Sequence, residues 1–150
     1  MTTTKRDKSL VVIQLTGGND YLNTVVPYSN GIYYDSRPVV NIPADQVLRI
    51  DDHVGFNPNM SEINQLWKED KVAIIHGIGY FNPNRSHFRS MDIWHTCEPD
   101  TLGTEGWLGR ALKELDPTAE NVLTGVNFGR GLPRALVMEG VPVASVGDLE

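Results

Sequence analysis

Apolar residues are arranged in two ways along this chain. Leu10–Leu15 ("LVVIQL") and Lys71–Gly79 ("KVAIIHGIG") are short, nearly continuous runs rich in β-branched residues, and each runs out into glycine. Such runs predict strands buried on both faces. Between them, Met60, Ile63, Leu66 and Trp67 recur at helical spacing and share one face. Asn57-Pro58-Asn59 precedes that stretch as a helix start, with Asn57 or Asn59 as its cap, and Glu69-Asp70 marks its end. A strand, a connection holding a helix, and a second strand predict a right-handed crossover within a parallel sheet. Ligands of such sheets bind at the C-terminal strand ends, where both runs empty into polar loops.

The remaining pattern is helical, then extended. Tyr21–Val40 is broken by Pro27, Gly31 and Pro38 and leaves room for a helical turn around Ile32–Ser36. "NPNRSHFRSMDIW" reads as a loop followed by a helix from Ser86 onward. "TEGWLGRALKELD" predicts an amphipathic helix stopped by Pro117, with Trp107, Leu108, Ala111, Leu112 and Leu115 inward. Val122–Val126 and Val141–Val146 are further strand candidates, the second weakened by Pro142. The closing "GDLE" resembles the opening of a helix capped by Asp148, which predicts a domain cut short. Trp67, Trp94 and Trp107 are assigned to packing. The fold class expected is α/β, three-layered, with a mostly parallel sheet.

Composition narrows the function classes. The chain has 150 residues, enough for one domain, with 40% hydrophobic and 21% charged residues and a formal net charge of −6. No basic run stands out, which argues against a nucleic-acid partner. Lys5, Arg6 and Lys8 precede an apolar run far too short for a membrane span of ~20 residues, and nothing there resembles a cleavable signal. The single cysteine, Cys97, excludes an internal disulfide and any all-cysteine metal site.

Two loops carry the candidate chemistry. Asp20 follows Gly17-Gly18 and Asn19 at the end of the first apolar run, where a carboxylate is well placed for a divalent cation. The other reading is a turn in which Asn19 or Asp20 caps the next segment. Ser86 stands at a helix N-terminus, where backbone N–H groups and the helix dipole favour an anion. Activated by a metal, its hydroxyl could attack phosphorus or sulfur, with Arg85 clamping the oxyanion. The other reading makes Ser86 an N-cap. His87 could be a ligand, an oxyanion donor or a solvent-facing residue. His76 is expected to be a hydrogen-bonded core residue, and His53 with Asp51 and Asp52 a solvated loop. His95 and Cys97 lack the second pair that a zinc site needs. A Gly-x-x-x-x-Gly-Lys loop, a Gly-x-Ser-x-Gly elbow and a glycosidase-like carboxylate pair are all absent.

"LTGGNDYLNTVVPY", "NRSHFRSMDIW" and "GWLGR", in that order and followed by "LPRAL" and "VPVASVGDL", resemble the bacterial domain-of-unknown-function 1501 family. That family looks like a branch of the alkaline phosphatase and sulfatase superfamily. The resemblance spans about Leu10 to Asp148. It implies that Asp20 binds a divalent metal (zinc, manganese or calcium), with Asn19 beside it, and that Ser86 is the nucleophile. Arg85 and His87 would contact the transferred oxyanion of a small phosphate or sulfate ester. Tyr21 stands where the family often has a small residue. The family's later Ser-Glu-Phe-Gly-Arg and Asp-His-Gly stretches do not occur here, and Cys97 does not match a formylglycine position. The expectation is therefore the N-terminal portion of a single domain, inactive alone. Relatives of this kind are often exported by the twin-arginine route to the periplasm or cell envelope. The alternative function is a non-catalytic binding or partner-recruiting module of the envelope, and oligomeric state stays open.

Overall fold

The structure, a computed structural model, describes residues 8–15 and 18–147. The chain divides into two compact units at His76/Gly77.

The first unit is organised by three short strands, β1 (Val25–Val26), β2 (Leu48–Arg49) and β3 (Gly55–Phe56). They form an antiparallel sheet in the order β1-β3-β2, with Val25 opposite Phe56 and Leu48 opposite Phe56 on the other edge. Val25, Val26, Val47, Phe56 and Tyr33 are buried here. Gly55 is needed in β3, since a Cβ there would lie 2.9 Å from the carbonyl oxygen of Leu48. Asp51 makes the β2–β3 reversal: its Oδ1 accepts from the backbone N–H groups of His53 at 2.7 Å and Val54 at 2.8 Å. These amides hold its pKa below the ordinary value, so Asp51 is a turn-builder rather than a loosely solvated charge.

Helix α1 (Gly31–Ser36) falls where a helical turn is expected, and Asn30 caps it by accepting from the N–H of Ile32 at 3.0 Å. Tyr33 on this helix is buried but satisfied. Its hydroxyl donates to Asn23 Oδ1 at 2.7 Å and accepts from the N–H of Ile42 at 2.8 Å. Helix α2 (Ser61–Lys68) follows, with Met60 in the cap position. Asn57 shapes the turn before it instead, accepting from the N–H of Asn59 at 2.9 Å. Trp67 meets Phe56 edge to face at 6.0 Å between ring centres, while Ile63 and Leu66 stay exposed.

In the second unit, α3 (His87–Thr96) and α4 (Trp107–Leu115) both pack against a 3-10 turn at Arg134–Leu136. Gly106 and Gly109 allow that approach. A Cβ on Gly106 would fall 2.1 Å from the carbonyl oxygen of Ala135, and one on Gly109 2.7 Å from the Met138 Cβ. Three arginines pin the α3–α4 connection. Arg89 donates to the carbonyls of Pro99 and Thr101, Arg110 to that of Thr96 at 2.6 Å, and Arg134 to that of Gly103. Arg134 also pairs with Asp92 at 2.7 Å. Strands β4 (Val126–Phe128) and β5 (Ala144–Val146) pair in parallel. They fall within or beside the two later strand candidates, but Val122 and Leu123 lie outside β4 and are exposed.

The architecture is thus α/β, with a small antiparallel sheet and a smaller parallel pair; the larger sheet is not the parallel one expected. Leu10–Leu15 and Lys71–Gly79 correct the expected core strands. Neither forms a strand, and Leu10, Ile13 and Ile75 are among the most exposed large apolar residues. A parallel strand exists only through neighbours bonded along its edges and layers covering its faces. Among the described residues nothing pairs with either run, so the expected crossover between them is absent. On α4, Leu112 and Gly109 are buried, whereas Ala111 and Leu115, expected inward, face solvent. Trp94 is also exposed, contrary to its assignment to packing. Asp148 lies outside the described residues. No helix is long and apolar enough to cross a membrane among the described residues.

Candidate functional site

Asp20 sits in a tight corner of the first unit. Gly18 adopts φ +82°, a left-handed backbone that favours glycine, and turns the chain toward a 3-10 turn at Tyr21–Asn23. The corner is closed by its own backbone: Asn23 N–H donates to the carbonyl of Asp20 at 3.0 Å. The Thr24 hydroxyl lies 2.9 Å from the same carbonyl and 3.1 Å from Asn19 Oδ1. Asp20 Oδ2 accepts from Arg37 Nη1 at 2.6 Å. Arg37 follows α1, where its N–H donates to the carbonyl of Tyr34, and its guanidinium lies 5.9 Å from the Tyr33 ring centre. The Arg37 side chain is 24% exposed and that of Asp20 45%. Chiefly through the Arg37 hydrogen bond, and against a smaller opposing effect of desolvation, the Asp20 pKa is held below the ordinary 3.8. Beyond the corner, the Tyr21 hydroxyl meets His76 Nδ1 at 2.5 Å, so His76 is hydrogen-bonded but exposed rather than in the core.

Ser86 belongs to the second unit and sits at the N-cap of α3 with extended backbone. Its Oγ accepts from the N–H of Arg89 at 3.4 Å, a long cap bond. The loop in front is shaped by Asn84. Asn84 Oδ1 accepts from the N–H of Ser86 at 2.8 Å, its carbonyl accepts from the Ser90 hydroxyl at 2.7 Å, and its own N–H donates to the Tyr80 hydroxyl at 2.9 Å. Arg85, Ser86 and His87 are consecutive and all exposed. Among the described residues no carboxylate or imidazole accepts the proton of Ser86 Oγ. The serine is therefore held by its backbone, while its hydroxyl faces solvent with no general base in place.

Asn19 and Asp20 lie together in one unit, and Arg85, Ser86 and His87 in the other. Asp20 Oδ2 and Asn19 Oδ1 are oxygens of the kind that hard cations take, so the donors fit a divalent ion in kind. They do not fit it in number, because among the described residues no three His, Cys, Asp or Glu side chains come together to hold a metal. A zinc site normally draws three protein ligands and a calcium site six or more oxygens. His95 Nε2 is buried without a hydrogen bond, and Cys97 is exposed in a left-handed C-cap, so that pair forms no ligand set. Of these candidates only Cys97 lines the apolar hollow of about 310 Å³ formed with Ile78, Tyr80, Ile93, Trp94 and Pro99; Asn19, Asp20, Arg85, Ser86 and His87 do not.

No protein-family model, no curated protein and no solved structure matches the chain. Local geometry therefore carries the functional reading.

Two residues in these loops escape a reading for catalytic types. Arg37 lies seventeen residues from Asp20, farther along the chain than Lys8, so no local signal marked it as the partner. Asn84 did carry a signal, since Asn two residues before a helix cap is a common turn-former.

Proposed function

We propose that the chain carries part of a metal-dependent hydrolase of phosphate or sulfate esters. On this reading it belongs to the domain-of-unknown-function 1501 family, with the three-layer architecture of alkaline phosphatases and sulfatases. The observation that carries the reading is Ser86. Its hydroxyl is exposed at the first turn of α3, it is engaged only by a 3.4 Å cap bond, and Arg85 and His87 flank it. The N–H groups at that helix start and the dipole favour an incoming anion, and Arg85 with His87 would steady its oxygens. Ser86 Oγ would then form the new bond to phosphorus or sulfur as the ester alcohol leaves. Asp20, with Asn19 beside it, would hold the divalent ion. When bound, such an ion supplies Lewis acidity that makes a hydroxyl nucleophilic near neutral pH. Further ligands must come from outside the described residues, so the chain by itself is expected to turn over little or no ester.

The second reading, a non-catalytic binding module, is favoured by one observation: Asp20 Oδ2 already has a partner in Arg37 at 2.6 Å. Calorimetric titration with zinc, manganese and calcium separates the two. The hydrolase reading expects binding that Asp20→Asn removes while the far-ultraviolet spectrum stays unchanged. Binding that is absent, or indifferent to Asp20→Asn, overturns it and leaves the module.

A further inference from the structure

Leu10–Leu15 is the stretch of the first unit that the fold leaves most open. It contains no helix, turn or bend, and among the described residues no hydrogen bond reaches its backbone N–H or carbonyl groups. A run of bare backbone groups in this state is an edge that a further strand can join. Proteins commonly blunt such an edge with a charge or a proline, and "LVVIQL" holds neither. Leu10 and Ile13 are each 80% exposed, Val11 79% and Leu15 68%. With Val12, these side chains present surface on the order of 600 Å², the upper end of what a monomer leaves bare. Two such patches face to face reach ~1,200 Å², where stable interfaces between proteins begin.

We propose that Leu10–Leu15 is a self-association edge, on which the same run of a second copy of this chain pairs as an antiparallel strand about a two-fold axis. A two-fold axis brings one patch onto itself, so an uncharged apolar run meets an uncharged apolar run. The direction of pairing follows from Lys8, which precedes the run, is exposed and has no ion-pair partner among the described residues. Antiparallel strands place the two copies of Lys8 at opposite ends of the ribbon. Parallel strands would set them side by side, and like charges directly opposite are unfavourable. The formal net charge of −6 works against association elsewhere on the surface, which further favours the uncharged run as the place of contact. This inference is independent of the roles of Asp20 and Ser86.

The test is sedimentation equilibrium of the full chain over a range of concentrations, beside Ile13→Lys and Val39→Lys. Both positions are exposed, so neither charge disturbs packing, and Val39 lies outside the run. The unsubstituted chain should populate a dimer and nothing larger. Ile13→Lys should weaken the dimer by about a hundredfold, because each dimer loses two buried isoleucines and gains two like charges near its axis. Val39→Lys should leave it unchanged. A monomer at every concentration, assembly beyond two copies, or a dimer indifferent to Ile13→Lys overturns the proposal, as does equal weakening by Val39→Lys. A second measurement needs no variant: hydrogen exchange at the amides of Leu10–Leu15 in dilute and concentrated protein. Their exchange should slow as the dimer fills, and amides that exchange at one rate in both samples contradict strand pairing.

Discussion

Asp20 and Ser86 both reach solvent from short polar loops, yet they are held in opposite ways. The Asp20 side chain is engaged, with Arg37 on Oδ2 at 2.6 Å, while its backbone is held by Asn23 and Thr24. The Ser86 backbone is fixed by Asn84 and Ser90, but its hydroxyl makes one bond of 3.4 Å. One corner has stabilised a charge, and the other has oriented a group and left it available. A charge left bare in a half-exposed corner is unfavourable, so it keeps a compensating cation. A hydroxyl costs little when only water meets it, so it can be left ready.

Substitutions can break this contrast, and the largest effect is expected in the support of the Ser86 side. Gly106→Ala drives a Cβ into the backbone of Ala135, where no flexible side chain can yield. It should lower stability by about 2–3 kcal/mol in denaturant unfolding followed by far-ultraviolet spectroscopy. A neutral Gly106→Ala would contradict the close seat of α4 on the Arg134–Leu136 turn.

Ser86→Ala removes the cap and should cost about 1 kcal/mol in the same measurement, with Ser86→Asp restoring it because aspartate also caps and suits the dipole. If the serine acts only as a cap, both variants behave alike in every functional assay once stability is matched. Under the nucleophile reading, a protein supplied with its remaining ligands loses turnover in both variants, including the stable one. Asn84→Ala should be milder, about 0.5–1 kcal/mol, since it deletes one side-chain bond to the Ser86 N–H at an exposed position.

The smallest expected effect sharpens the Asp20 side. The Asp20 pKa lies below 3.8, so the folded state binds this proton less readily than the unfolded chain. The pair's stabilisation is then fully present above the ordinary carboxylate range and is lost as pH falls from about 4 through the depressed pKa. Asp20→Asn should flatten that acid limb of the stability curve relative to the unsubstituted chain, and added salt should shrink the difference. An acid limb identical in both proteins would contradict the Arg37 contact as a persistent one.

The sequence was most legible where structure is local. The helix from Ser86, with that residue as a cap candidate, is signalled by a serine at the end of a polar Asn- and Pro-containing loop, and α3 lies there. Helix α4 and the turn at α1 were readable on the same grounds. Leu10–Leu15 and Lys71–Gly79 were not, because an apolar run states a demand for neighbours and does not say whether they are met. The cap of α2 was misplaced for a related reason: Asn57 can serve the turn before the helix as well as the helix itself, and it serves the turn. At the candidate site, residue types located Asp20 and Ser86 but missed that Asp20 is already engaged. Its partner Arg37 lies seventeen residues away along the chain, and only the packing of α1 and Tyr33 brings it there.

The central claim of the proposed function is that Asp20 engages a divalent ion. Paramagnetic broadening by sub-stoichiometric manganese in amide spectra of the full chain tests it most directly. The account predicts broadening centred on the amides of Asn19, Asp20, Leu22 and Asn23, abolished in Asp20→Asn. Broadening absent from this corner, or equally present in Asp20→Asn, would contradict it and leave Asp20 and Arg37 as a structural clasp.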